Sequence, residues 1–168
     1  MRLSITSFLI EVSNQNRYDL ERLTIIYSQK LPMKGNCLCK AVAIEAQPEK
    51  EVSVCHCGMC RRWGGGPLLC VHGGSQVRIE GIENVTTYKS SEWAERGFCR
   101  LCGTHLFYKF MQGNEYILPV GIFQEDSDFE LKEQIFIDQK PSYYSFSNPT
   151  ENLTEAEVFA KYAPPAIE

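Results

Sequence analysis

Basic charge is in short supply: 17 lysines and arginines face 21 aspartates and glutamates, leaving a net charge of −4. Nucleic-acid binding needs a concentrated basic face to neutralise phosphates, so no nucleic-acid partner is expected. No apolar run approaches the ~20 residues that cross a bilayer, so no membrane partner is expected either. The chain also lacks repeats of solenoid length, low-complexity segments, and any pairing of carboxylates or serine triad on which acid–base or acyl-transfer chemistry could rest. Residues 1–32 are poorer still, with no cysteine, no glycine and one proline. A compact domain can begin at Met33, ahead of Lys34-Gly35-Asn36-Cys37, which makes residues 1–32 an N-terminal extension and residues 33–168 one self-sufficient domain.

Cysteine, by contrast, is plentiful. Seven of the eight fall into three clusters, Cys37/Cys39, Cys55/Cys57/Cys60 and Cys99/Cys102, with Cys70 outside. In a secreted chain such numbers would spell disulfides. Here the first apolar stretch, Leu3 to Ile10, is short, is broken by Ser4, Thr6 and Ser7, and runs into Glu11 without a small-residue cleavage site. The protein therefore reads as cytoplasmic, where thiols stay reduced and clustered cysteines more often hold metal than one another.

Between the clusters the chain is punctuated by glycine, proline and asparagine, and short alternating runs predict strands. These run through Val42–Ile44, Glu51–Val54, Pro67–Val71, Gln76–Ile79, Val85–Tyr88, Thr104–Phe110, Glu115–Val120 and Glu130–Ile137. The fold class is mainly β. Thr154-Glu155-Ala156-Glu157 has the form of a capping box opening a terminal helix to about Tyr162, which Pro164 and Pro165 would stop.

A strand would turn Cys37 and Cys39 to one face and Leu38 to the other, into apolar packing. Cys99 and Cys102, with Gly103 free to take positive φ, supply the matching half of a four-thiolate zinc site. Closing it would join segments some sixty residues apart. Cys55, Cys57 and Cys60 offer three thiolates, which leaves a second zinc with an open corner for an incoming thiol. The same trio fits a redox or partly metallated cluster, or a structural site completed by His56 or Cys70. His56 lies between two residues that share a face, so it should point away; His72 and His105 read as ordinary hydrogen-bonded residues, and Cys70 as a buried small hydrophobe. Arg61 and Arg62 follow Cys60, and Lys40, Arg96 and Arg100 flank the other sulfurs. All of them can offset thiolate charge, and Arg61 or Arg62 can alternatively fork onto a substrate carboxylate. Gly64-Gly65-Gly66 reads as a turning loop beside the trio.

The combined pattern, Gly35-x-Cys37-x-Cys39, Cys55-His56-Cys57-x-x-Cys60-Arg61-Arg62 and Phe98-Cys99-x-x-Cys102-Gly103-Thr104-x-Leu106-Phe107, resembles the glutathione-dependent formaldehyde-activating enzyme and centromere protein V family, from about Met33 to Tyr144. The resemblance implies an Mss4-like, zinc-stabilised β-tent of short antiparallel strands, here with a C-terminal helix. It also implies a structural Zn²⁺ on Cys37, Cys39, Cys99 and Cys102, and a second on Cys55, Cys57 and Cys60 at a glutathione site. The implied activity is that of a carbon–sulfur lyase, joining formaldehyde to glutathione as S-hydroxymethylglutathione. Three positions depart from the family's habit: Lys40 replaces a common glycine, Gln134 a frequent histidine and Tyr143 a frequent tryptophan. From another class, a non-catalytic zinc module for protein contacts or zinc handling fits the same cysteines. The sequence carries no signal of oligomeric state.

Overall fold

The structure is a computed structural model that describes residues 32–124 and 128–162. The expected extension, apart from Pro32, and the expected stop at Pro164 and Pro165 lie outside the described residues. The described chain forms eleven strands: β1 (Met33–Asn36), β2 (Ala43–Ala46), β3 (Glu51–Cys55), β4 (Leu68–Gly74), β5 (Arg78–Glu80), β6 (Val85–Lys89), β7 (Ala94–Cys99), β8 (His105–Phe110), β9 (Glu115–Pro119), β10 (Glu130–Ile135) and β11 (Glu151–Leu153). Two helices, α1 (Gly58–Gly64) and α2 (Glu155–Tyr162), complete it.

The strands form a three-stranded sheet, β1-β2-β5, and an eight-stranded sheet, β11-β10-β3-β4-β9-β8-β7-β6. Period-two alternation decides what each face buries. In β2, Ile44 and Ala46 point inward while Ala43 and Glu45 stay half-exposed. Val42 and Ile44 meet Val71, Leu106, Phe107 and Leu118 of the large sheet in one core. Gly35 ties the small sheet down, forming a bridge to Phe123. A Cβ there would lie 2.8 Å from the Ile122 carbonyl oxygen, so only glycine allows the approach.

The mainly β expectation holds, with one refinement of the antiparallel picture: β10 pairs parallel with both β3 and β11. A parallel pair requires a long crossover. Here the chain traverses the sheet out to β6 and back before β10 settles beside β3. Three strands and a helix carry no clear sequence signal. β1 is short and contains Gly35, β11 has three residues, β7 places a charged Arg96 at a buried position, and α1 is only seven residues long.

The capping box at α2 forms as the sequence anticipates. The Thr154 backbone N–H donates to the Glu157 carboxylate at 2.7 Å, and the Glu157 N–H donates back to the Thr154 hydroxyl at 3.4 Å. The backbone N–H and hydroxyl of Thr154 hold the Glu157 carboxyl below its ordinary range. That contribution is present at neutral pH and is lost as pH falls through the carboxylate range. Thr154→Ala is expected to cost about 1 kcal/mol at pH 7, typical of a lost N-cap. Urea unfolding of the two proteins at pH 7 and pH 4 should show the difference narrowing in acid.

Candidate functional site

The first cluster is built from two turns. Cys37 follows β1, and its backbone exchanges hydrogen bonds with Val42 and Lys40: Cys37 N–H to Val42 O at 3.0 Å and Lys40 N–H to Cys37 O at 2.9 Å. The Val42 N–H donates to Cys37 Sγ at 3.3 Å. Cys37 and Cys39 therefore sit on a tight knuckle and not on a strand face. Leu38, expected in apolar packing, is at its tip and 86% exposed. Lys40 takes the left-handed conformation, φ 63°, that turns the chain toward β2. This is the backbone reason that glycine suits the position. Lys40→Gly should leave metal content unchanged and raise the thermal midpoint, which calorimetry with metal analysis would read.

The second knuckle closes β7 onto β8. Gly103 has φ 76°, as anticipated, and its N–H donates to Cys99 O at 2.8 Å. The two knuckles are joined by the Leu38 N–H, which donates to Thr104 Oγ1 at 3.1 Å. The same hydroxyl lies 3.2 Å from Cys102 Sγ. Thr104, through its hydroxyl and then its backbone, pulls the Cys102 thiol down to about 5. All four sulfurs lie within 4.8 Å of one another, with Cys37–Cys39 at 3.5 Å and Cys39–Cys99 at 3.7 Å. Tetrahedral zinc with Zn–S bonds of ~2.3 Å separates its sulfurs by about 3.8 Å, so the quartet fits such an ion.

The trio lies elsewhere, at the join of β3 and α1. Cys55 ends β3, Cys57 caps α1 and Cys60 occupies its first turn, donating its N–H to Cys57 Sγ at 3.4 Å. The three sulfurs are also mutually within 4.8 Å, and the residues are only 6–8% exposed. Leu68, Ile135 and Phe136 pack around them. Hydrogen bonds from the Cys55 and Cys60 thiols, opposed by burial, pull the Cys57 thiol down to about 2, while donation to Cys57 and Cys60 pushes Cys55 up. Within the trio, Cys57 is the sulfur whose ionised form its neighbours favour. Further ionisation at this spacing calls for a cation, which is the fit a soft divalent ion offers.

Among the described residues neither His56 nor Cys70 joins the trio as a fourth ligand. Cys70 is buried and lies 3.6 Å from the Ser53 carbonyl. His56 points away, as alternation requires. Gln134 donates through Nε2 to Thr150 Oγ1 at 2.7 Å and to Asn152 at 3.2 Å, which turns its Oε1 toward His56 Nε2 at 3.0 Å. His56 therefore carries its proton on Nε2, and Nδ1 accepts from the Tyr144 hydroxyl at 2.7 Å. Burial holds its pKa below the usual imidazole range.

Two convergent sulfur sets lie on one β framework: four sulfurs near the surface, and a buried three with no fourth ligand among the described residues. The sequence profile of the glutathione-dependent formaldehyde-activating enzyme family matches residues 32–139. The chain belongs to that family. A Schizosaccharomyces pombe protein named as an uncharacterized lyase is 38% identical over 127 residues, covering 74% of this chain and 93% of its own. A solved Rhodobacter sphaeroides structure is 32% identical and covers 55% of this chain and 89% of its own, with a TM-score of 0.49.

In this member of the glutathione-dependent formaldehyde-activating family one arginine, Arg96, does not sit where sequence proximity places it. Arg61 donates from Nε to His56 O at 2.8 Å, and Arg62 is exposed in the last turn of α1. Arg96, expected beside the four-cysteine set, instead reaches the trio, with Nη2 3.5 Å from Cys60 Sγ. Its guanidinium lies between the rings of Trp63 and Tyr108, at 5.7 and 5.3 Å. Trp63 in turn contacts Tyr88, Phe98 and His105. His105 donates through Nε2 to Phe107 O at 3.1 Å, and burial pushes its pKa to about 4. Arg96 and Trp63 were the residues to find. Arg96 and Cys99 share β7 yet serve different clusters, and β7 itself carries no clear sequence signal. Gly65, in the left-handed conformation, ends α1 and gives the triple glycine its local role.

Proposed function

We propose that the protein is a zinc-dependent carbon–sulfur lyase of the S-hydroxymethylglutathione synthase kind, acting on the adduct of a glutathione-type thiol with a small aldehyde. One observation carries this reading: three convergent sulfurs, with no fourth ligand among the described residues, stand apart from a complete set of four. The lyase name of the yeast relative supports it. Cys37, Cys39, Cys99 and Cys102 would hold a structural zinc, and Cys55, Cys57 and Cys60 a second. Bound at the trio, zinc supplies Lewis-acid chemistry, which stabilises an incoming thiol as its thiolate at neutral pH.

The chain's own residues do the rest. Cys57, at the amino end of α1, has its sulfur charge supported by the Cys60 N–H. Arg61, with Nε committed to His56 O, presents its two Nη groups as a fork for a carboxylate of the thiol substrate, and Arg62 adds a second cation beside it. Val54 and Cys55 of β3 pair with Gln134 and Ile135 of β10 and so fix the trio's wall. The thiol-reduced cytoplasm is the compartment in which such sulfurs persist.

Zinc-loaded protein mixed with glutathione and ¹³C-formaldehyde should bind the thiol and speed adduct formation, followed by NMR. Absence of both effects removes this substrate and favours a non-catalytic zinc module. Residues 33–168 are proposed as the catalytic domain and residues 1–32 as an extension of it. A chain starting at Met33 is therefore expected to remain soluble with full zinc content; aggregated or zinc-poor protein would contradict that division.

A further inference from the structure

Arg96 is among the most deeply buried charges described, with 2% of its surface exposed. Two aromatic faces hold its guanidinium, and Nη2 is engaged with Cys60 Sγ at 3.5 Å. The neighbouring Nη1 is buried and has no hydrogen-bond partner among the described residues. A buried, charged donor left unpaired is costly, and natural proteins keep one chiefly where a ligand or ordered water completes it. Both Nη groups share one carbon, so a partner of Nη1 lies one hydrogen bond away from the guanidinium that meets Cys60. Arg61 and Arg62 are closer to solvent and better placed for the carboxylates of a thiol substrate.

We propose that Arg96 is a catalytic residue whose Nη1 donates to the oxygen of the aldehyde-derived group while the carbon–sulfur bond forms or breaks. This rests on the carbon–sulfur reading above. The thiol gives its proton to solvent; the thiolate sulfur then attacks the carbonyl carbon, a C–S bond forms, and the C=O π pair moves onto oxygen. That alkoxide takes one proton from water, and no oxidation state changes overall. Arg96 keeps its own protons, since guanidinium does not deprotonate in proteins. Its part is to meet the negative charge that develops on oxygen with a donor already fixed in place and shielded from water.

The test compares full-length, zinc-loaded wild type with Arg96→Met and Arg96→Lys. Each is titrated calorimetrically with glutathione alone and with glutathione pre-equilibrated with formaldehyde, and adduct formation is followed by NMR. Wild type should bind the adduct at least about tenfold more tightly than glutathione. Arg96→Met should bind glutathione within about threefold of wild type, lose the preference for the adduct, and fall about 10²–10³-fold in kcat, the usual loss for one such donor. Arg96→Lys, which keeps charge but not the fork, should recover part of both; it carries the comparison alone if the methionine variant does not fold.

Full adduct preference and rate in either folded variant would overturn the assignment, as would an equal loss of glutathione and adduct binding. Wild type that binds and accelerates while Arg96→Met is unaffected would leave the lyase reading standing and remove only the role of Arg96, leaving water as the partner of Nη1. Wild type that neither binds thiol nor accelerates the reaction would remove both.

Discussion

Cys99→Ser is expected to abolish folding. Cys99 is fully buried, its backbone N–H donates to Thr104 O at 2.9 Å, and its sulfur lies 3.7 Å from that of Cys39, sixty positions earlier. A quartet that holds zinc converts metal affinity into folding free energy, on the order of 10 kcal/mol in small zinc modules. That is the size of the whole stability of a typical domain, roughly 5–15 kcal/mol. Serine is a poor zinc ligand, so the ion would be left with three thiolates and the two knuckles without their shared centre. Far-UV circular dichroism and zinc analysis should show unfolded or aggregated protein with little metal. A folded variant with a wild-type midpoint would mean that the quartet does not carry the fold.

Cys57→Ser should behave differently. The trio sits at the end of β3 and the start of α1, and its loss leaves both knuckles and the main core intact. The variant is expected to fold, to retain about one zinc fewer than wild type, and to show neither glutathione binding nor accelerated adduct formation. Metal analysis, thermal unfolding and the NMR assay on one preparation separate the two roles. Collapse equal to that of Cys99→Ser would make the second cluster structural as well.

Much of this arrangement is legible in the sequence because cysteine spacing constrains geometry directly. Two thiols flanking two residues and followed by glycine, as in Cys99-Arg100-Leu101-Cys102-Gly103, make a knuckle whatever surrounds them. Glu51–Val54, Val85–Tyr88 and the Thr154/Glu157 capping box are legible for the same local reason. What is not legible depends on distant partners. Leu38 has the composition of a core residue, yet the knuckle throws it outward, because Cys37 and Cys39 are held by a turn and not by a pleat. β7 hides because Arg96 occupies a buried position, which no hydrophobic pattern reveals, and because its pairing with β8 shifts register between Gly97 and Phe98. The parallel placement of β10 reflects the order in which the sheet is filled, and no local signal in Glu130–Ile135 encodes it.

That placement also bears on synthesis. The trio's wall includes Ile135, paired with Cys55, so the three sulfurs cannot be enclosed until β10 has left the ribosome. At ~5–20 residues per second, Cys55, Cys57 and Cys60 wait on the order of ten seconds, exposed as nascent thiols, before their shelter arrives. Oxidants, electrophiles and competing metals therefore have their best access to these sulfurs during translation, and the finished molecule inherits whatever happened to them in that interval.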